Sequence, residues 1–410
     1  MKFFNVKTVN ETVSIIDEQF GVIKEPVLVP VADALGMVLA EDIVSAEQVP
    51  AFSRSTVDGF AVKAKDTFGA SDSLPAFLDI TGKIEMGKAA DIRLEEGQAQ
   101  YIPTGGMLPV GADSVVMIEH VEEVGDLLNV FRQTAPGENI IRAGDDVQES
   151  DLVIPVGQRL RPQDLGVLSA IGKTKVLVYP RPVIGILSTG DEIVPVDKAE
   201  LAPGEIRDIN SVTIGAAARQ YGAEVIYGGI VKDDVDEFSR KTSELLDQVD
   251  FLLLSGGSSV GTRDFSVQVL QTLGEPGVLV HGVSIKPGKP TIIGKAGKKP
   301  VMGLPGHPAS ALIIFQLFGL PILERLEGLR KSEVDLRLDA RISRNIPSAV
   351  GRSDYVRVKV EDRGDGLWAV PVFGKSGLIS TMVESDGMVE IPANKEGILE
   401  GEVVKVQLFH

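Results

Sequence analysis

The residues best equipped for chemistry fall in four short segments between Ser188 and Ile293. Asp191 and Glu192 stand in "STGDEI", Asp233 and Asp234 in "VKDDVDEF", Asp264 in "SGGSSVGTRD", and Lys286 and Lys289 bracket a Pro-Gly turn in "SIKPGKPTII". Carboxylate oxygens suit Mg²⁺, which takes one or two protein carboxylates and fills its remaining positions with water and substrate phosphate oxygens. The loop of Gly256, Gly257 and Ser259 offers backbone N–H groups to an oxyanion, and the lysines add point charge. A fifth segment, "VMGLPGHPASALIIF", places Pro305, Gly306 and Pro308 ahead of an apolar run, with Pro308 suited to the first turn of a helix whose N-terminus also favours anions. Together these groups fit phosphoanhydride chemistry assisted by a divalent cation, with no covalent nucleophile. Taken singly each is ordinary. An Asp before a helix is usually a cap, and a lone Gly-Gly pair has neither P-loop nor dinucleotide spacing. The chemistry therefore depends on one structural edge gathering them.

The surrounding elements predict such an edge. From residue 181 onward, apolar runs ("PVIGILST", "EVIYGGIV", "DFLLLSG") alternate with helix-like stretches ("NSVTIGAAARQYG", "DVDEFSRKTSELLDQV", "RDFSVQVLQTLG"). Strands apolar on both faces and separated by helices form a parallel sheet covered on each side, with ligands beyond the strands' carboxyl ends. Upstream, residues 8–20 and 30–42 carry helix-compatible apolar spacing. From about residue 48 to 147, short runs among many Gly and Pro read as a small β-rich domain, and "PQDLGVLSAIGK" as a further helix. The last eighty residues alternate again ("SDYVRVKVED", "LWAVPVF") and predict a small barrel or sandwich.

Composition removes several classes of function. The chain has 410 residues, enough for two to four domains, and no cysteine, so thiolate nucleophiles, iron–sulfur clusters and thiolate zinc sites are excluded. His120, His281, His307 and His410 are scattered, leaving no local histidine zinc motif. A net charge of −17 argues against nucleic acid, whose binding rests on Lys and Arg neutralising phosphates. "ASALIIFQLFGLPILERL" is interrupted by Pro321 and reads as a buried helix, not a membrane span. The first residues lack a signal-peptide pattern, so the cytoplasm is the expected location.

"STGDE", "SGGSSVGTRD", "KPGKP" and "LPGHP", in this order and spacing, resemble the molybdopterin molybdenumtransferase (MoeA) family, whose eukaryotic counterpart is the E domain of gephyrin. "SRSTVDGFAV", "PTGGMLPVGADSVVMIE", "NIIRAGDDV" and "GKSGLIS" extend the resemblance over essentially the whole chain. It implies insertion of molybdate into adenylylated molybdopterin with release of AMP, and a requirement for Mg²⁺ or Zn²⁺. It also implies a multidomain α/β plus β fold: a helical dimerisation domain at 1–45 and 147–180, an inserted β-rich domain at 46–146, a MogA/MoaB-like α/β domain at 181–329 and a C-terminal β-barrel at 330–410. The implied partners are a second copy of the chain, an adenylylating MogA/MoaB-type protein, and molybdoenzyme or tungstoenzyme acceptors. Carried over by motif, Asp58 and Thr104 come from the inserted domain and Asp146 from "RAGDD". Glu192, Asp233, Asp264, Lys286, Lys289, Pro305 and Pro308 come from the α/β domain, with the metal among Glu192, Asp233 and Asp264. Arg352 and Ser376 are expected at the barrel rim. The family's cleft lies between the α/β domain of one subunit and the inserted domain of the other.

The chain departs from the family pattern at Ser258, where Val is commoner, at His307, where Asn is frequent, and at Ile141 and Ala143, where well-known bacterial members carry arginines. If those arginines bind pterin or phosphate in the family, this chain must use Arg142 and lysines instead or bind a somewhat different state. Two other readings accompany the main one: tungstate insertion by the same chemistry, and a gephyrin-like scaffold, from which the retained acidic and lysine loops point away.

Overall fold

The computed structural model describes residues 6–256, 267–331 and 336–409. Among these residues the α/β sheet has six strands. Glu224–Val231, Val183–Thr189, Phe251–Gly256 and Lys299–Leu304 run parallel in that order, and the antiparallel Ile292–Ala296 and Pro276–His281 complete it. Both faces are buried, as the apolar runs predict. Phe251 and Leu253 pack with Ile214 and Phe315 on one side, while Leu252 and Leu254 pack with Phe238 and Leu245 on the other. Helices Ile209–Gln220 and Val235–Gln248 start from capping aspartates, Asp208 and Asp234, whose carboxylates accept from Ser211 N at 3.1 Å and Glu237 N at 2.9 Å.

The apolar run after "LPGHP" is the core helix. It passes from α-helix (Pro308–Ile314) through one wider π turn (Phe315–Gly319) back to α-helix (Leu320–Leu326). Pro321 has no N–H for the preceding turn and its ring crowds the carbonyl there, which accounts for the widening. Among the described residues this is the helix with the length and apolarity to cross a membrane, yet it is mostly buried, with Phe315 and Phe318 wholly enclosed. The helix Val9–Gln19, closed by a Thr8–Glu11 capping box, lays Ile16 into the same core.

Residues 30–42 are not helical. The strand Val27–Pro30 ends where this stretch begins, and the stretch itself forms one 3-10 turn (Val31–Asp33) and the short strand Val38–Leu39. Pro30 opens this stretch and Gly36 takes φ +76°, so the apolar spacing is read by a turn and two strands, not by a helix. Leu39 and Ile43 share a core with Ile154, Leu168, Val176 and Val178, and the helix Pro162–Ala170 lies over it. Between these two sequence stretches the chain makes a six-stranded β-rich sheet whose core includes Phe60, Leu78 and Leu128.

The C-terminal strands close a barrel, which decides between barrel and sandwich. Ser353–Asp362, Leu367–Pro371, Leu338–Ile342, Val403–Leu408 and Gly387–Ile391 pair in that order, and the last returns to pair with the first. The barrel is tied to the α/β unit by Ile285–Lys286, which adds in parallel to Ser353–Asp354.

Candidate active site

Register aligns the carboxyl ends of the α/β strands. Thr189 lies opposite both Val231 and Gly256, and Ser255 lies opposite Leu304. Gly256 is required by close approach: it has φ +134°, and a Cβ there would fall 1.9 Å from the carbonyl oxygen of Thr189. At the same edge Asp233 N donates to Asp191 Oδ1 at 3.2 Å, Lys232 Nζ donates to Asp191 O at 2.6 Å, and Thr189 Oγ1 donates to Asp233 Oδ1 at 3.5 Å. Partial burial, then repulsion from Asp191 and Glu192, pushes the Asp233 carboxyl above its ordinary value, against the opposing pull of Thr189 and Lys232. The two neighbouring aspartates thus divide the work: Asp234 caps a helix and Asp233 joins an electronegative group.

The "KPGKP" turn is fixed on the core helix by Gly288, which has φ +105°. A Cβ there would come within 2.3 Å of the Ile314 side chain. Thr291 secures the turn by donating to Gly288 O through Oγ1 at 2.7 Å and through its N–H at 3.1 Å. Lys286, on the short strand added to the barrel, lies 3.6 Å from the buried carboxylate of Asp354, which also accepts from Arg352 Nε at 2.9 Å. One buried anion therefore orients two cations. Neither Asp354 nor Arg357, three residues further along the same strand, stands out in "GRSDYVRVKV", because strand alternation hides which residues face a neighbouring domain. Arg357 is buried, its Nη2 donates to Gly374 O at 3.2 Å, its Nε has no partner, and burial lowers its pKa.

Pro308 opens the core helix as the sequence predicts, and barrel residue Ser376 meets that N-terminus. Ala309 N donates to Ser376 O at 3.2 Å, and His307 Nδ1 lies 2.7 Å from Ser376 Oγ. His307 thus joins the α/β unit to the barrel. Behind it, Asn210 Nδ2 donates to Ser255 Oγ at 2.9 Å and to Gly306 O at 3.0 Å, while its Oδ1 is buried without a partner. Asn210 thereby ties a strand end to the proline loop. The only hint of it in the sequence is its place two residues after the helix-capping Asp208.

Between this edge and the barrel lies a cleft of about 960 Å³. Gly256, Lys286, Lys289 and Pro305 line it from the α/β unit, and Arg352 and Ser376 from the barrel. Pro308 stands just behind the lining. Glu192 and Asp233 lie beside the cleft, next to its lining residue Thr189. Asp58, Thr104, Arg142 and Asp146 belong to other surfaces of the chain and do not line it. There Asp58 Oδ1 accepts from Thr104 N at 2.8 Å, Arg142 N donates to Asp145 Oδ2 at 2.7 Å, and Asp146 N donates to Val49 O at 3.0 Å. Gly257, Ser258, Ser259 and Asp264 lie outside the described residues. Among the described residues no group of three His, Cys, Asp or Glu side chains is close enough to hold a metal.

The MoeA N-terminal region (domains I and II) matches residues 7–172, a probable molybdopterin-binding domain matches 185–325, and the MoeA C-terminal region (domain IV) matches 339–409. The chain belongs to the MoeA family. A putative molybdopterin biosynthesis protein of Methanocaldococcus jannaschii is 36% identical over 388 residues, covering 93% of this chain and 92% of that one. The molybdopterin molybdenumtransferase of Bacillus subtilis is 34% identical over 386 residues, 93% and 89% of the two chains. The crystal structure of a MoeA protein from Pyrococcus horikoshii OT3 superposes with a TM-score of 0.85 at 31% identity, over 98% of this chain and 100% of the other. This MoeA-family chain is an enzyme of molybdenum cofactor biosynthesis, a transferase of the molybdopterin molybdenumtransferase type.

Proposed function

We propose that this chain inserts molybdate into adenylylated molybdopterin and releases AMP, in the cleft between the α/β unit and the barrel. The observation that carries the reading is the convergence of Lys286, Lys289, Arg352 and Ser376 on one cavity that adjoins the Asp233 carboxylate. Lys286 and Lys289 hold phosphate and molybdate oxygens, and Asp354 keeps Lys286 and Arg352 in register. Both substrates are anions, so an acidic chain needs this local concentration of cations to receive them. Positioning and charge compensation supply most of the acceleration available to phosphoanhydride cleavage.

The residues present suit Mg²⁺. Asp233 is held above its ordinary pKa partly by neighbouring carboxylates, a repulsion that a cation relieves. The donors are hard oxygens, which suit an ion that takes one or two protein carboxylates and completes its shell with water and substrate phosphate. Zn²⁺ prefers nitrogen and sulfur ligands, and the chain has no cysteine. Glu192 and Asp233 would hold the ion, with Asp264 as a further carboxylate, and the ion would supply charge stabilisation at the anhydride.

The active form is read as a homodimer. Val27, Leu28, Leu35, Val44, Leu152 and Val156 are exposed apolar side chains on the unit built from the two sequence stretches that flank the β-rich domain. Asp58 and Thr104 would serve the cleft of the other subunit. The substrate would come from an adenylylating MogA/MoaB-type protein and the product pass to molybdoenzyme or tungstoenzyme acceptors. Mixing purified protein with adenylylated molybdopterin, Mg²⁺ and molybdate tests the reading. AMP and metal-loaded cofactor are expected, and the appearance of neither overturns it.

A further inference from the structure

The barrel side of the cleft carries charged groups, Arg352, Arg357 and Lys375 among them, and beside them an apolar lip that includes Ile346, Pro347, Val350 and Phe373. Phe373 is the aromatic member of this lip. Ala369 and Pro371, at alternate positions before it, are buried, yet Phe373 keeps 51% of its surface open while lining a cleft rich in cations. The Arg344 guanidinium lies 4.5 Å from the ring centroid and is anchored through Nη2 to Pro371 O at 2.8 Å. The backbone on both sides of Phe373 is fixed by one buried residue: Val372 N donates to Arg357 O at 2.9 Å, and Arg357 Nη2 donates to Gly374 O at 3.2 Å. An aromatic ring on a fixed backbone, backed by a guanidinium and open beside a cation-lined floor, fits a ligand that joins anionic groups to a flat ring.

We propose that Phe373 is the stacking platform for a planar, nitrogen-rich heterocycle of the bound substrate. The inference rests on the proposed reaction, whose substrate carries two such rings, adenine and pterin. Stacking on an aromatic side chain tolerates any flat heterocycle, so both are candidates for one platform.

Trp368 is the only tryptophan of the sequence, so Phe373→Trp in a Trp368→Phe background places a single indole at the lip. Titration with AMP and, separately, with 6-carboxypterin is expected to quench its emission for the ring that seats there; AMP quenching assigns adenine and carboxypterin quenching assigns pterin. In the otherwise unaltered chain, Phe373→Ala should raise KM for adenylylated molybdopterin about tenfold with kcat little changed, and Phe373→Tyr should restore it. Quenching by neither compound, or an unchanged KM in Phe373→Ala, overturns the stacking role. If the unaltered chain releases no AMP, the proposed reaction fails; if it turns over normally and is indifferent to Phe373, only the stacking inference fails.

Discussion

At the scale of single residues, adjacent identical side chains have opposite fates. "VKDD" does not reveal which aspartate caps the helix, because either could accept from its first turn; the backbone decides, giving the cap to Asp234 and the acidic group to Asp233. Lys286 and Lys289 are legible in the sequence as a spaced pair, but the anion that orients Lys286 is not, since Asp354 becomes its neighbour only when barrel and sheet join. Asp233 links stability to pH. Its folded pKa is raised, so its contribution to stability is complete below the unfolded carboxylate range and is lost as pH rises through the raised value. At neutral pH the ionised group therefore works against the fold. Asp233→Asn should raise the melting midpoint by about 1 °C in metal-free buffer at pH 7, a small effect because the group is largely exposed. The same change should cut AMP release about tenfold or more and blunt the stabilisation that Mg²⁺ gives the unaltered chain. A full Mg²⁺ response in the variant would remove Asp233 from the metal site.

At the scale of elements, the α/β strands are legible because apolar runs bounded by turn residues have few other readings. The stretch 30–42 is not, since its spacing suits a helix until Pro30 and Gly36 are weighed, and barrel closure is invisible locally because it depends on which distant strands pair. The fit of one element on another is similarly hidden. Gly288 is required because the "KPGKP" turn presses on Ile314 of the core helix. Gly288→Ala combines a positive φ with overlap of buried atoms and should cost about 2–4 kcal/mol, lowering the urea midpoint and displacing both lysines. Ile314→Ala in the same chain should recover part of the loss, and no recovery would mean that the contact is not the cause. A second joint lies at the end of the core helix, where buried Glu327 pairs with Arg159, which also donates to Gly36 O at 2.9 Å. Burial raises the Glu327 pKa and Arg159 opposes that rise. Arg159→Met leaves the carboxylate buried and unpaired, and should destabilise by about 3 kcal/mol at pH 7. Because the raised group is protonated more readily as pH falls, the deficit should shrink in acid, and adding Glu327→Gln should largely remove it at neutral pH. A deficit equal at both pH values would exclude the ion pair as its source.

At the scale of the whole molecule, the proposed site draws on two surfaces that lie apart within one chain. Lys286, Lys289, Arg352 and Ser376 share a cleft within one chain, while Asp58 and Thr104 pair with each other elsewhere and contribute nothing to that lining. No single-chain periodicity reports on such a division, although exposed apolar residues such as Leu28 and Leu152 on a separate unit give a second copy somewhere to bind. The proposed two-fold association predicts a definite ratio of activities. Asp58→Ala and Lys289→Ala chains should each be inactive as homodimers, because every cleft then lacks one group. When the two are unfolded together and refolded, half of the dimers are mixed, and each mixed dimer holds one cleft with both groups intact. Activity should therefore return to about a quarter of the unaltered value. If Asp58 served the cleft of its own chain, every cleft in the mixture would still carry one defect and no activity would return. Adding Leu28→Asp to both chains should abolish the recovery and give monomers by light scattering, because the intact cleft exists only across the interface.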